Sequence, residues 1–176
     1  NIPLDVLPGP NAGLTALLLS GLPNEHFVFH GFLPSQSRAR QKELRNYAEL
    51  PFTQIFYEAP HRLVATLEDL LAVFGDREAA VVREITKLHQ NVHKGSLSQL
   101  LAEFKANSPR GEICILTAPY VPVLPQGGEE QWREEVAMLT EQGLKPKEAM
   151  KEVAQKYGVS KREVYQAVLG EKNGRS

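Results

Sequence analysis

Up to Pro119 the chain alternates short apolar or β-branched segments with helix-patterned ones, and beyond Pro119 no strand-like segment appears. No other feature of its 176 residues constrains the fold as much. The strand-like segments are 5–7 (DVL), 26–29 (HFVF), 52–57 (FTQIFY), 79–83 (AAVVR) and 113–117 (ICILT). Between them lie four helical patterns. The first begins at Ala12 and stops at Gly21, and the second is capped by Ser35 or Ser37 and carries Leu44, Tyr47 and Ala48. The third repeats Leu63, Thr66, Leu67, Leu70, Leu71 and Phe74 at spacings of three and four and ends at Gly75; the fourth covers 96–104. Five strands alternating with four helices predict one layered α/β domain over residues 1–119.

From 120 to 128 the sequence YVPVLPQGG reads as a linker. Three helices are predicted after it: 129–142, 146–157 with Pro146 in its first turn, and one capped by Ser160 and ending near Leu169. KEAMKEVAQKYGVSKREVYQAVLG has a helix-turn-helix pattern, with Gly158 at the turn and Val164 and Val168 inward. Lys161 and Arg162 open its second helix, where a DNA reader places contacts, but Glu148, Glu152 and Glu163 mix the charge. By itself this piece fits either a nucleic-acid-binding regulator or an accessory arm. The tail 171–176 is polar and expected to be loose.

Several classes are disfavoured. A formal net charge of -1 gives no overall field for a polyanion, so any nucleic-acid contact has to come from local basic clusters. Cys114, the only cysteine, lies in the apolar run GEICILTA and is expected to be a buried thiol. No apolar run is long enough for a membrane span and no leader is visible, so the expectation is a cytoplasmic protein with no membrane contact. The opening residues contain no initiator Met and look cut from something longer. His61, His89 and His93 do not form a metal set, and Ser20 and Ser96 lack the glycines of a nucleophile elbow. The opening glycines spell neither the dinucleotide fingerprint nor the P-loop.

The stretch VLPGPNAGLTALLLSGLP carries the clearest chemistry. Pro8 and Pro10 stiffen the bend around Gly9, Asn11 can cap the helix, and Ala12 and Gly13 are too small to block a ligand from the main chain. Polar residues punctuate two other strand ends: Glu58, His61 and Arg62, then Arg83, Glu84, Thr86 and Lys87. In open α/β sheets ligands gather outside strand ends, so these segments and the opening bend are expected to share a crevice. A solvated loop is the plainer reading of Arg83, Glu84 and Lys87.

The segments VLPGPNAGLTALLLSGLP, FVFHGFLPSQSRARQKEL, TQIFYEAPHRLVATLEDL, VVREITKLHQNVHKGSLSQL and GEICIL, in this order, closely resemble the C-terminal half of the ribosomal RNA small-subunit methyltransferase I family. The combination of GFLP, FYEAPHRL and REITK carries the resemblance over residues 3–117. It implies an α/β fold with a five-stranded, mainly mixed sheet flanked by helices, the second half of the tetrapyrrole-methylase fold, followed by a small helical domain of helix-turn-helix type. It also implies methyl transfer from S-adenosylmethionine to the ribose 2′-hydroxyl of a cytidine in small-subunit (16S) ribosomal RNA. Another methylase of the same fold, acting on a tetrapyrrole or a protein, is the nearest alternative.

Laid on this sequence, the resemblance places the cofactor against Asn11, Ala12, Gly13, Tyr57 and Glu58, with Arg83 and Glu112 nearby. Arg38, Arg40, Lys42, His61, Arg62 and Lys87 become the expected contacts to RNA phosphates in the 30S subunit. A homodimer is implied, with HFVFHGF apolar enough to be covered. Glu58, His61 and Glu84 are the side chains able to accept a proton, and the catalytic residue is left unassigned. The sequence departs from the family in two places: an N-terminal half with its own cofactor loops is missing, and LHQNVHKG stands where relatives carry an acidic residue. With half of the cofactor cleft absent, this chain alone is not expected to methylate.

Overall fold

The computed structural model describes residues 2–107, 109–122 and 124–169. The chain divides into two compact units, Asn1–Val121 and Pro122–Ser176. In the first, helix α1 (Ala12–Ser20) precedes β1 (Phe27–Phe32), α2 (Ser37–Arg45) and β2 (Thr53–Glu58). A single 3-10 turn (Pro60–Arg62) leads into α3 (Leu63–Phe74), then β3 (Glu78–Arg83), β4 (Asn91–Ser96), α4 (Leu97–Ala106) and β5 (Ile113–Thr117). The sheet order is β1-β2-β5-β3-β4; β1 and β2 are parallel and the other neighbours antiparallel. This is the mixed five-stranded sheet expected from the sequence, but one of its strands is a different one.

Residues 5–7 form no strand: Leu4, Val6 and Leu7 are 85%, 75% and 87% exposed, and no ladder includes them. The run is three residues long and lies between Pro3 and Pro8, which supply no amide to a ladder. The fifth strand is instead β4, paired with β3 from Glu78↔Ser96 to Arg83↔Asn91. Its sequence NVHKGS lacks an apolar alternation because it is an edge strand; Lys94 is exposed, as is usual on sheet edges protected from further pairing. The opposite edge, β1, also runs further than the four residues HFVF. The register shifts between Phe29 and Gly31, and Gly31, at φ 73°, turns the bulge without steric cost, so the strand continues to Phe32.

The two sheet faces are covered unequally. On one, α2, α3 and α4 bring Leu44, Leu63, Leu67, Leu70, Leu97 and Phe104 onto Phe56, Val81, Ile113 and Ile115. On the other, Ala16 and Leu17 of α1 pack on Ile55, Ala80, Val82, Cys114 and Leu116. Helix α1 is apolar nearly all round, so burying one side leaves Leu14 and Leu18 at 46% and 71% exposure. Phe27, Phe29 and Phe32 of β1 are exposed as well.

The second unit holds α5 (Glu129–Glu141), α6 (Pro146–Tyr157) and α7 (Lys161–Leu169) around Val136, Ala149, Val153, Ala154 and Val164. Gly158, at φ 65°, ends α6 in the left-handed conformation. A reciprocal cap then starts α7: Glu163 N–H donates to Ser160 Oγ, and Ser160 N–H donates to the Glu163 carboxylate at 2.7 Å. The expected loose tail, 171–176, lies outside the described residues. Among the described residues, no helix is long and apolar enough to cross a membrane.

Candidate functional site

A cleft of about 720 Å³ lies where the start of α1 meets the C-terminal ends of β2 and β3 and the start of β5. Pro10, Asn11, Ala12 and Thr15 form one wall. Tyr57 to Pro60 contribute from the end of β2, and Ile85, Thr86, Lys87, Gly111 and Glu112 from the loops after β3 and before β5. Cys114 is buried in the lining, and burial pushes its thiol up to about 12, so it is a neutral, inert group.

The proline-braced bend sets α1 at the cleft. Asn11 Oδ1 accepts the Leu14 N–H at 3.0 Å, the N-cap that its position in the sequence predicts. The Gly13 amide is not bare: it donates to Tyr57 Oη at 3.1 Å. Gly13 is buried beneath Asn11, Phe29 and Tyr57, so its small size allows close packing of α1 on the strand. The Ala12 amide is left without a partner among the described residues, and both Asn11 and Ala12 are exposed on the cleft wall. Tyr57 is held in place by edge-on contact with Phe29, ring centroids 4.9 Å apart, and by Phe32 at 5.7 Å.

Glu58 also lines the cleft, but its carboxylate is committed. One oxygen accepts the Ala59 N–H at 2.8 Å and lies 3.1 Å from Arg62 Nε; the other accepts the Thr66 hydroxyl at 2.6 Å. With Arg62 Nη2 donating to the carbonyls of Leu33 and Pro34, this cluster ties the end of β2 to α3 and to the segment after β1. Glu58 is therefore a structural piece of the cleft wall, braced from behind by Arg62, which is not a free phosphate contact.

The opposite wall is strained. Glu84 and Thr86 have φ 50° and 66°, and for β-branched Thr86 this is a clear departure from ordinary backbone. What holds the loop is a clasp. Glu84 exchanges two hydrogen bonds with the Glu112 main chain, its N–H donating at 3.0 Å and its Oε1 accepting at 2.8 Å. Lys87 Nζ sits 3.2 Å from Glu84 Oε1 and 3.2 Å from Glu112 Oε2. The Glu112 amide and, after it, Lys87 hold the Glu84 carboxyl below the usual carboxylate range, and the two carboxylates raise Lys87. Gly111 is required here, since a side chain there would overlap the Glu84 carboxylate and φ is 86°.

Of the residues expected at the cofactor, the cleft thus gathers Asn11, Ala12, Tyr57, Glu58 and Glu112, with Gly13 directly beneath. Arg83 is not part of the lining. It donates to the Arg110 carbonyl at 2.9 and 3.3 Å. The basic set does not converge. Arg40 is 2% exposed, paired with Asp69 at 2.6 Å and bonded to the carbonyls of Pro34, Ser35 and Ala65, so it cannot meet a phosphate. Arg38 and Lys42 are exposed on α2, His61 is exposed in the 3-10 turn, and Lys87 belongs to the clasp. None of the three expected proton acceptors stands free in the cleft: Glu58 and Glu84 are engaged and His61 is outside the lining. Thr86 is one of the polar residues that the sequence places after AAVVR, within REITK, whereas Gly111 has no mark beyond GE directly before an apolar strand.

A family model described as Tetrapyrrole (Corrin/Porphyrin) Methylases matches residues 1–101. Over 171 residues the chain is 40% identical to the ribosomal RNA small subunit methyltransferase I of Synechocystis sp., covering 96% of this chain and 61% of that protein. It is 39% identical over 174 residues to the protein of the same name from Bacillus subtilis, covering 92% and 57%. The chain therefore spans about three fifths of the length of these curated relatives. Among solved structures, the crystal structure of the methyltransferase CobJ aligns with a TM-score of 0.51 at 22% identity, over 70% of this chain and 53% of that one, a likeness of fold.

Proposed function

Because the chain belongs to the tetrapyrrole (corrin/porphyrin) methylase family, we propose that it is the donor-holding lobe of a methyltransferase acting on small-subunit ribosomal RNA. The target group is the ribose 2′-hydroxyl of a cytidine, and the setting is the 30S subunit in the cytoplasm. The name shared by the relatives supports the RNA substrate, and the family supports the chemistry. The methyl donor is S-adenosylmethionine, whose sulfonium supplies an activated methyl group. The observation that carries this reading is the convergence of Asn11, Ala12, Tyr57, Glu58 and Glu112 on one cleft.

The residues fit such a donor. The open Ala12 amide offers a main-chain donor, and Tyr57, Ile85, Pro60 and Ile113 offer apolar surface, while the Glu112 carboxylate at the rim faces Lys87. Their part in the reaction is to hold and orient. Tyr57 and Glu58 are locked by their hydrogen bonds before any ligand arrives, so a ligand seated on them meets a fixed surface. With Glu58 and Glu84 engaged and His61 outside the lining, the hydroxyl proton is released to water as the methyl moves from sulfur to oxygen, a transfer that depends more on alignment than on a strong base. The exposed aromatic surface of β1, with α1 beside the same sheet face, is where a second copy docks in the homodimer.

The test is methyl transfer by the protein completed to the length of its relatives. Tritiated S-adenosylmethionine is incubated with 30S subunits lacking the modification, and the digested RNA is resolved by mass spectrometry. The expected product is a single 2′-O-methylcytidine; a base-methylated nucleotide, or no transfer, contradicts the proposal.

A further inference from the structure

We propose that the outer face of α2 is a preformed dock for RNA phosphates, made by Arg38, Lys42 and Arg45. The inference rests on the RNA reading above, and Arg45 is a residue to which nothing so far has given a role.

At 3.6 residues per turn, positions 38, 42 and 45 fall within an arc of about 60° and span about 10 Å along the axis. All three side chains are exposed, and among the described residues none forms an ion pair or a side-chain hydrogen bond. The one acid on the helix, Glu43, lies outside that arc and accepts a hydrogen bond from Tyr47 at 3.1 Å. A row of cations on a chain of net charge -1 is a local field, the kind that meets a polyanion.

What separates this row from an ordinary solvated face is how its opposite side is fixed. Arg40 and Leu44 project away from the arc and are buried. Asp69 on α3 takes the Arg40 guanidinium, the Ser37 hydroxyl at 2.9 Å and the Gln41 amide at 2.6 Å. Three successive contacts thus clamp one side of a nine-residue helix, and the cations on the other side project from a rigid base. Two of the three are arginines, whose forked donors suit phosphate oxygens. Contacts of this kind fix position on the RNA and carry no base information, so the dock is sequence-independent.

The experiment measures binding of the intact chain to a fluorescein-labelled hairpin from small-subunit ribosomal RNA by anisotropy, across a salt series. R38Q/K42Q/R45Q is compared with the parent, with the charge-preserving R38K/R45K, and with K161Q/R162Q in the second unit. The triple variant is expected to bind at least about tenfold more weakly and to make the slope of log K against log salt shallower by about 2. R38K/R45K keeps the slope and K161Q/R162Q leaves binding unchanged. Equal binding by the parent and the triple variant overturns the dock while leaving the RNA reading intact. So does a loss confined to K161Q/R162Q, which moves the contact to the second unit. Failure of the parent to bind RNA at low salt overturns both.

Discussion

Gly111 and Glu84 act as one piece. The carboxylate of Glu84 occupies the space that any side chain at 111 would need, and from there it holds the Glu112 amide and Lys87. Gly111→Ala is therefore expected to cost about 1–3 kcal/mol in backbone strain alone, beyond displacing Glu84. Chemical denaturation measures it; an unchanged midpoint would show that the clasp is dispensable. The clasp has a defined pH window. Glu84, whose pKa is lowered on folding, stabilises the loop above the ordinary carboxylate range and loses that contribution as pH falls through its folded value. Lys87, raised on folding, contributes below the ordinary lysine range and loses it as pH rises through its own. Tyr57→Phe leaves the Gly13 amide without its partner at a cost of about 1 kcal/mol. Cys114, with its thiol at about 12, is expected to resist iodoacetamide in the native protein at pH 8 and to react once unfolded; rapid native labelling would contradict its burial.

Among the elements, α2 depends on a buried ion pair. Arg40→Ala strands the Asp69 carboxylate in a buried site and is expected to destabilise the first unit by about 3–5 kcal/mol, measured as a lower melting temperature. A loss below about 1 kcal/mol would mean that α2 is held by Leu44 alone. Arg40 also marks a limit of what is legible in sequence. SRARQKELR presents four cations in a largely polar stretch, and only the tertiary position of Asp69, 29 residues from Arg40, tells the buried one from the exposed three. Helices α1, α3 and α4 are legible because each carries a cap or an apolar repeat, and the central strands because they are buried on both faces. Helix α2 departs from its expected serine cap: its N-cap is Gln36 with no side-chain bond, Ser37 donates to Asp69 instead, and the helix ends at Arg45 before Tyr47 and Ala48. The edge strand β4 is not, since an edge with one solvated side and a protective lysine has no pattern of its own. The cleft is half legible. Asn11, Ala12, Glu58 and Thr86 follow from a bend and two strand ends and Tyr57 from the resemblance, whereas Gly111 joins them through a left-handed backbone that no residue pattern announces.

For the whole molecule, the unequal covering of the sheet is the dominant fact. Three helices protect one face, while Leu14, Leu18, Phe27, Phe29 and Phe32 are left exposed on α1 and β1. The expected consequence is association: sedimentation of the completed protein gives a dimer, and Phe29→Asp shifts it to monomer. A parent protein that stays monomeric at micromolar concentration would contradict this. Methyl transfer by the 176-residue chain alone is not expected, because it spans about three fifths of its relatives. Its cleft should still hold a donor weakly. The most direct check is a nitrogen-15 correlation spectrum of the chain titrated with S-adenosylhomocysteine. Saturable shifts at the amides of Asn11, Ala12, Ala59, Thr86 and Glu112 are the predicted result, and shifts confined to the second unit, or none at millimolar ligand, would contradict the assignment of this cleft to the methyl donor.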